Sequence, residues 1–108
     1  MQKVKSAGIP RKTVTGTSSN TAQSLSDLGA TVSFEHAGGI TQQAEFATVS
    51  VETKAVRVAL GGDATTSLGD LLNPGDSVEL QGKEEVSTAT FISAVGGAHG
   101  TLQITTEF

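Results

Sequence analysis

Apolar residues in this chain recur mostly at every second position, in short runs broken by glycine-rich segments. From Lys54 to Gln81 the sequence KAVRVALGGDATTSLGDLLNPGDSVELQ reads as strand, long turn-rich connection, strand. Val56, Val58 and Leu60 alternate with Ala55, Arg57 and Ala59, and Val78 and Leu80 alternate with Ser77, Glu79 and Gln81. A period of two sends one set to a core face and the other towards solvent. Asn73-Pro74-Gly75-Asp76 is a tight-turn signal, because proline presets φ and glycine supplies the positive φ that other residues avoid. This makes the two strands a central pair onto which the others pack.

The same alternation predicts further strands. Ala30–Glu35 carries Val32 and Phe34 on one face, and the chain breaks at Gly38-Gly39. Gln42–Glu52 is the next strand. Its bulk switches parity between Phe46 and the set Ala47, Val49 and Val51, which predicts a bulge or burial on both faces. Thr65–Leu72 is read as a loop or single helical turn whose leucines plug the end of the core. Gly82–Glu85 is a polar turn and Val86–Val95 a strand. Gly96–Gly100 is another glycine turn. Thr101–Phe108 alternates most cleanly, with Leu102, Ile104 and Phe108 on one face. Leu25–Gly29 reads as a turn into the body. Short strands with turn signals every eight to twelve residues predict an all-β fold, a single β-sandwich or jelly-roll-like domain.

Residues 1–26 are rich in Ser, Thr, Lys and Gly and poor in large apolar side chains, so they are read as an extended basic N-terminal arm. A short strand is expected near Lys12–Thr15 or Thr21–Leu25, and residues 27–108 form the β-sandwich domain. Charge divides at the same place. Before Asp27 there are four bases, Lys3, Lys5, Arg11 and Lys12, and no acid; from Asp27 onward three bases meet eleven acids, a balance of −8. These four bases are the candidate partner-binding residues. The acidic body argues against nucleic-acid binding. No cysteine is present among the 108 residues, which excludes disulfides, thiolate metal sites and cysteine nucleophiles. No apolar run reaches membrane-spanning length, and no apolar run follows Lys3 and Lys5 to make a signal peptide.

Chemistry-bearing motifs are sparse. His36 and His99 each lie beside glycines in predicted turns, with no second ligand at metal-binding spacing. Asp63, Asp70 and Asp76 sit in loops, where aspartate next to glycine has backbone reasons to occur; their spacing matches no EF-hand calcium loop. Gly61-Gly62-Asp63 lacks the remainder of a phosphate loop. Glu84-Glu85 reads as a solvated pair. No nucleophile, base and oxyanion set is recognisable, so neither catalytic residues nor a cofactor or metal are expected. With no Trp, no Tyr and four Phe at core-facing positions, a glycan or single-strand platform is disfavoured.

The stretch VRVALGGDATTSLGDLLNPGDSVEL, together with the closing FISAVGGAHGTLQITTEF, resembles small virion structural proteins of tailed bacteriophages. The likeness covers Lys54–Phe108 and leaves residues 1–26 outside. It implies a non-enzymatic capsid decoration (cement) protein on the capsid exterior, made in the host cytoplasm. Its implied partners are the major capsid protein and copies of itself, a trimer being favoured, with no nucleic acid and no membrane. A head-tail neck or tail accessory protein, or a receptor- or ligand-binding β-sandwich, is the alternative.

Overall fold

The computed structural model describes residues 11–35 and 38–108. Lys3, Lys5 and His36 lie outside them. The protein is all-β. Among the described residues ten strands follow in chain order: β1 (Arg11–Thr17), β2 (Gln23–Ser24), β3 (Ser33–Glu35), β4 (Thr41–Gln43), β5 (Phe46–Val51), β6 (Val56–Ala59), β7 (Asp70–Leu72), β8 (Ser77–Gln81), β9 (Thr90–Ser93) and β10 (Thr101–Glu107), with one short helix, α1 (Lys83–Thr88), before β9.

Eight strands form two antiparallel four-stranded sheets. The first has the order β1-β10-β5-β8 and the second β2-β9-β6-β7; β3 and β4 make a separate hairpin. With that hairpin set aside, the first sheet holds the first, eighth, third and sixth of the remaining strands and the second sheet the second, seventh, fourth and fifth, which is the strand order of a jelly roll. The inner faces meet in one core containing Leu25, Val49, Val51, Val56, Leu80, Phe91, Leu102 and Ile104. Sandwich cores are built this way because each strand buries alternate residues.

The last strand carries the sequence signal most faithfully. Leu102, Ile104, Thr106 and Phe108 are buried, and the residues between them are half-exposed. The turn at Asn73–Asp76 also forms as read: Gly75 has φ 95°, the Asp76 N–H donates to the Asn73 carbonyl at 2.8 Å, and the Asp76 carboxylate accepts from the Asn73 N–H at 2.9 Å. At Leu25–Gly29 the expected turn is closed by reciprocal bonds between Ser24 and Asp27, each backbone N–H donating to the other's side chain at 3.1 Å.

Other expectations change. The strands flanking the Lys54–Gln81 connection are not a pair: β6 lies in one sheet against β7 and β9, and β8 lies in the other against β5. Alternation gives a strand its buried face but not its neighbour, and a long connection crosses between sheets more readily than it folds back. Gln42–Glu52 divides at Ala44-Glu45, where the chain leaves β3 and joins the larger sheet. This accounts for the parity switch without a bulge. Leu68 and Leu71 do not plug the core; they are 60% and 45% exposed, while Leu72 is buried on β7. The Val86–Val95 strand begins only at Thr90, because Lys83–Thr88 is helical. Lys and Glu are good helix formers, Glu84 and Glu85 sit in the first turn where the helix dipole favours acids, and Val86 is the residue this turn buries.

The basic segment 1–26 is not an arm along its whole length. Arg11–Thr17 is a full strand paired with β10 throughout, Gln23-Ser24 pairs with β9, and Leu25 is fully buried. Thr and Val suit a pleated, half-exposed strand, and few apolar residues are needed on an edge strand. Gly16 permits the approach of the Leu25–Gly29 turn beneath β1: a Cβ there would stand 2.9 Å from the Leu28 carbonyl oxygen and 3.2 Å from the Leu28 Cβ.

Phe91 and Phe46 separate core from surface among the aromatic residues. Phe91 is fully buried and Phe46 is 48% exposed. Phe91→Ala is expected to cost about 4 kcal/mol of stability and Phe46→Ala less than about 1 kcal/mol, measured by urea denaturation of the two variants beside the parent chain.

Candidate functional site

The features that stand out for interaction lie on the sheet β1-β10-β5-β8. Its outer face carries hydroxyl and amide side chains in cross-strand register. Thr13 stands opposite Thr105, which stands opposite Thr48; Thr15 stands opposite Gln103, which stands opposite Ser50. The Thr13 and Thr105 hydroxyls are 2.9 Å apart, and the Gln103 side-chain amide donates to the Thr15 hydroxyl at 3.0 Å and to Glu52 at 3.3 Å. Such pairs stabilise a sheet while leaving it wettable. At one end of this face Phe46, Thr48, Glu79, Gln81 and Glu107 surround a shallow depression of about 260 Å³ floored by Ala47 and Leu80.

The four candidate basic residues divide. Lys3 and Lys5 lie outside the described residues. Arg11 and Lys12 are both exposed at the start of β1. Arg11 pairs with Glu107 across the strands at 3.3 Å, both side chains well exposed to water, so the pair contributes little to stability. The sequence placed Arg11 and Lys12 on an extended arm; they stand instead on the outermost strand of a sheet.

Among the described residues that strand is an open edge. The Ser18 N–H donates to the Gly100 carbonyl at 2.9 Å, which sets the phase of the ladder. Alternation then directs the peptide groups of Gly16, Val14 and Lys12 towards β10, and those of Thr17, Thr15, Thr13 and Arg11 away from the sheet. Among the described residues, the outward groups of Thr13, Thr15 and Thr17 meet no backbone partner. The opposite edge is β8. Bonds from Gly82 N–H to the Glu45 carbonyl and from Val51 N–H to the Asp76 carbonyl, 2.7 and 2.9 Å, turn Leu80 and Val78 towards β5. Ser77, Glu79 and Gln81 therefore face outward, and the Gln81 N–H is taken by the Glu85 carboxylate at 2.9 Å. Glu85, read from the sequence as half of a solvated pair, thus clamps the strand end. The second sheet ends in strands of two and three residues, β2 and β7, too short to recruit another strand.

One cluster looks chemical. Ser93 stands 2.9 Å from His99 Nδ1 and its hydroxyl is 2.7 Å from that of Ser18, which in turn accepts from the Gly100 N–H at 2.7 Å. The serine beside the imidazole is fully buried, so no substrate reaches it. The chain of bonds satisfies polar groups that fasten the Val95–Gly100 turn to the segment after β1. Among the described residues, which include His99 but not His36, no group of three His, Cys, Asp or Glu side chains could hold a metal ion. Asp63, Asp70 and Asp76 are exposed.

Arg57, read as one of the residues alternating with Val56 and Val58, holds the loop after β6. Its Nε donates to the Thr66 carbonyl at 3.0 Å and Nη1 to the Gly69 carbonyl at 2.9 Å. The same loop is anchored by Thr90, whose hydroxyl donates to the Gly62 carbonyl at 2.8 Å and accepts from the Ala64 N–H at 2.9 Å. An arginine alone among neutral residues on a strand was the available signal.

No protein-family model matches this chain, and no curated protein matches it. Among solved structures, one described as "Bacillus endospore appendages form a novel family of disulfide-linked pili" is similar at 15% identity, covering 93% of this chain and 85% of that one, with a TM-score of 0.43. No helix among the described residues is long and apolar enough to cross a membrane.

Ser18→Ala removes the acceptor of the Gly100 N–H and the partner of buried Ser93, and is expected to cost about 2 kcal/mol. His99→Ala, at an exposed end of the same chain of bonds, is expected to cost less than about 1 kcal/mol. The separation of the two urea midpoints measures this; equal losses would make His99 the anchor of the cluster.

Proposed function

We propose that this chain is a non-enzymatic structural protein of a tailed-phage virion, a decoration protein that binds and stabilises the major capsid protein lattice as a homo-oligomer. The observation that carries the reading is the exposed strand Arg11–Thr17, which sets two cations at the end of an unpartnered sheet edge. An open edge adds affinity through main-chain hydrogen bonds without a deep pocket, and clustered bases steer it to acidic surfaces. The hydroxyl and amide face beside it offers further bonds to a neighbouring protein surface. Jelly rolls occur in viral capsid proteins and also in lectins and cupins, so the fold supports the reading only in company with the edge and with the sequence resemblance over Lys54–Phe108. Each copy binds weakly, and repetition over a lattice makes the attachment firm.

Sedimentation with undecorated capsids of the phage whose genome encodes the chain tests this. The purified protein is expected to pellet with the capsids and to saturate. Reversing the charge of Lys3, Lys5, Arg11 and Lys12 together is expected to weaken binding at least about tenfold at low salt, about 1.4 kcal/mol, and less at high salt. A chain that stays in the supernatant at every salt concentration removes the capsid reading.

A further inference from the structure

Among the described residues both edges of the sheet β1-β10-β5-β8 are open, and they are unlike each other. β1 carries Arg11 and Lys12; β8 carries Glu79, with Asp76 just before it and Lys83, Glu84 and Glu85 following in α1. We propose that β1 of one copy adds to β8 of a second copy, joining the two sheets head to tail. The inference concerns self-association only and does not depend on the capsid reading.

Strand polarity fits. The sheet contains four strands, and every neighbouring pair is antiparallel. Its two edge strands therefore run in opposite directions. A second copy set alongside in the same orientation presents β8 antiparallel to β1, so the alternation continues across the junction without any inversion of the molecule. The side chains match as well. Residues with outward peptide groups are odd-numbered on both edges, and on both edges these same residues put their side chains on the outer face of the sheet. Odd stands opposite odd, and the two outer faces become one.

Charge selects the register. Two registers use all of Ser77–Gln81. One sets Gln81 opposite Arg11, Glu79 opposite Thr13 and Ser77 opposite Thr15. The other moves β8 two residues along and sets the position of Lys83 opposite Arg11. The first brings Arg11 diagonally across from Glu79, within reach of a long side chain; the second opposes two cations. In the first register the Thr13–Glu79 and Thr15–Ser77 pairs each exchange both of their free N–H and C=O groups. Glu85 retains the Gln81 N–H, which ends the junction there. A symmetric contact between two β1 strands also satisfies the backbone, but it brings no acid to Arg11 or Lys12 beyond the Glu107 already present. A contact that joins unlike edges is heterologous, so copies go on to form a closed ring if the rotation between them closes and a filament if it does not.

Proline at an outward-facing position removes one junction donor and none of the backbone bonds inside the sheet; Thr15→Pro also removes the hydroxyl that accepts from Gln103. Thr15→Pro blocks β1 and leaves β8 intact; Glu79→Pro does the reverse. Sedimentation velocity and native mass spectrometry over a concentration series are expected to show assemblies larger than a dimer for the parent chain. Each variant alone is expected to be monomeric, and an equimolar mixture of the two to stop at a dimer, since one good edge of each kind remains. Thermal melting followed by circular dichroism checks that both variants fold, and Glu79→Lys, which leaves the backbone untouched, is expected to weaken association more at low salt than at high salt. A parent chain that stays monomeric throughout the series overturns the proposal. So does a parent dimer that Glu79→Pro leaves unchanged, because that outcome assigns the contact to two β1 edges.

Discussion

The architecture depends on the place of β10 between β1 and β5. This strand bonds on both sides, to Arg11–Thr17 through its even-numbered residues and to Phe46–Val51 through its odd-numbered ones. It also puts Leu102 and Ile104, both fully buried, at the centre of the core. A chain with four phenylalanines and no tryptophan or tyrosine has little aromatic surface to bury, so its stability rests on aliphatic side chains held at matching heights by strand register. A slip of one residue in β10 would turn Leu102, Ile104 and Phe108 out to water and bring Gln103 and Glu107 inside. That penalty fixes the register, and the register in turn fixes which groups of β1 face outward.

Where one face of a strand is buried and the other wet, the pattern of residues specified the strand. Thr101–Phe108 is the clearest case, and the Asn73–Asp76 turn is equally local, since proline and glycine determine it within four residues. Pairing was not legible. Val56–Ala59 and Ser77–Gln81 each read correctly as strands, yet they belong to different sheets, because alternation carries no information about which neighbour supplies the hydrogen bonds. Val86 was misplaced for a related reason: a single apolar residue after a Lys-Glu-Glu run serves a short helix or a strand start equally well. Phe46 was counted among the core-facing phenylalanines, whereas the parity set by Ala47, Val49 and Val51 puts it outside.

The candidate site was half visible. Charge counting found Arg11 and Lys12, and it located them on a segment that looked unstructured because it holds few large apolar residues. An edge strand needs few, since a neighbour on one side and a core beneath suffice. The sequence could not reveal that Ser18, Ser93 and His99 converge, because they lie in segments joined only by the fold. Arg57 is similar. Its side chain bonds to carbonyl groups nine and twelve residues away, contacts that require the loop to return over its own strand.

Most of the ties that close the sandwich join residues remote in sequence. Thr13 meets Thr105 across an interval of 92 residues, and Ser18 meets Ser93 across 75. Hairpins between neighbouring strands exist at β3–β4 and β6–β7, and the rest of the ladder has to await closure of long loops. Chains of this kind reach the native state in milliseconds to seconds, far more slowly than those dominated by local contacts. During that interval β5 and β8 carry Ala47, Val49 and Leu80 without their cover. The partly folded protein is therefore most vulnerable to clumping before the opposite sheet has closed over these residues.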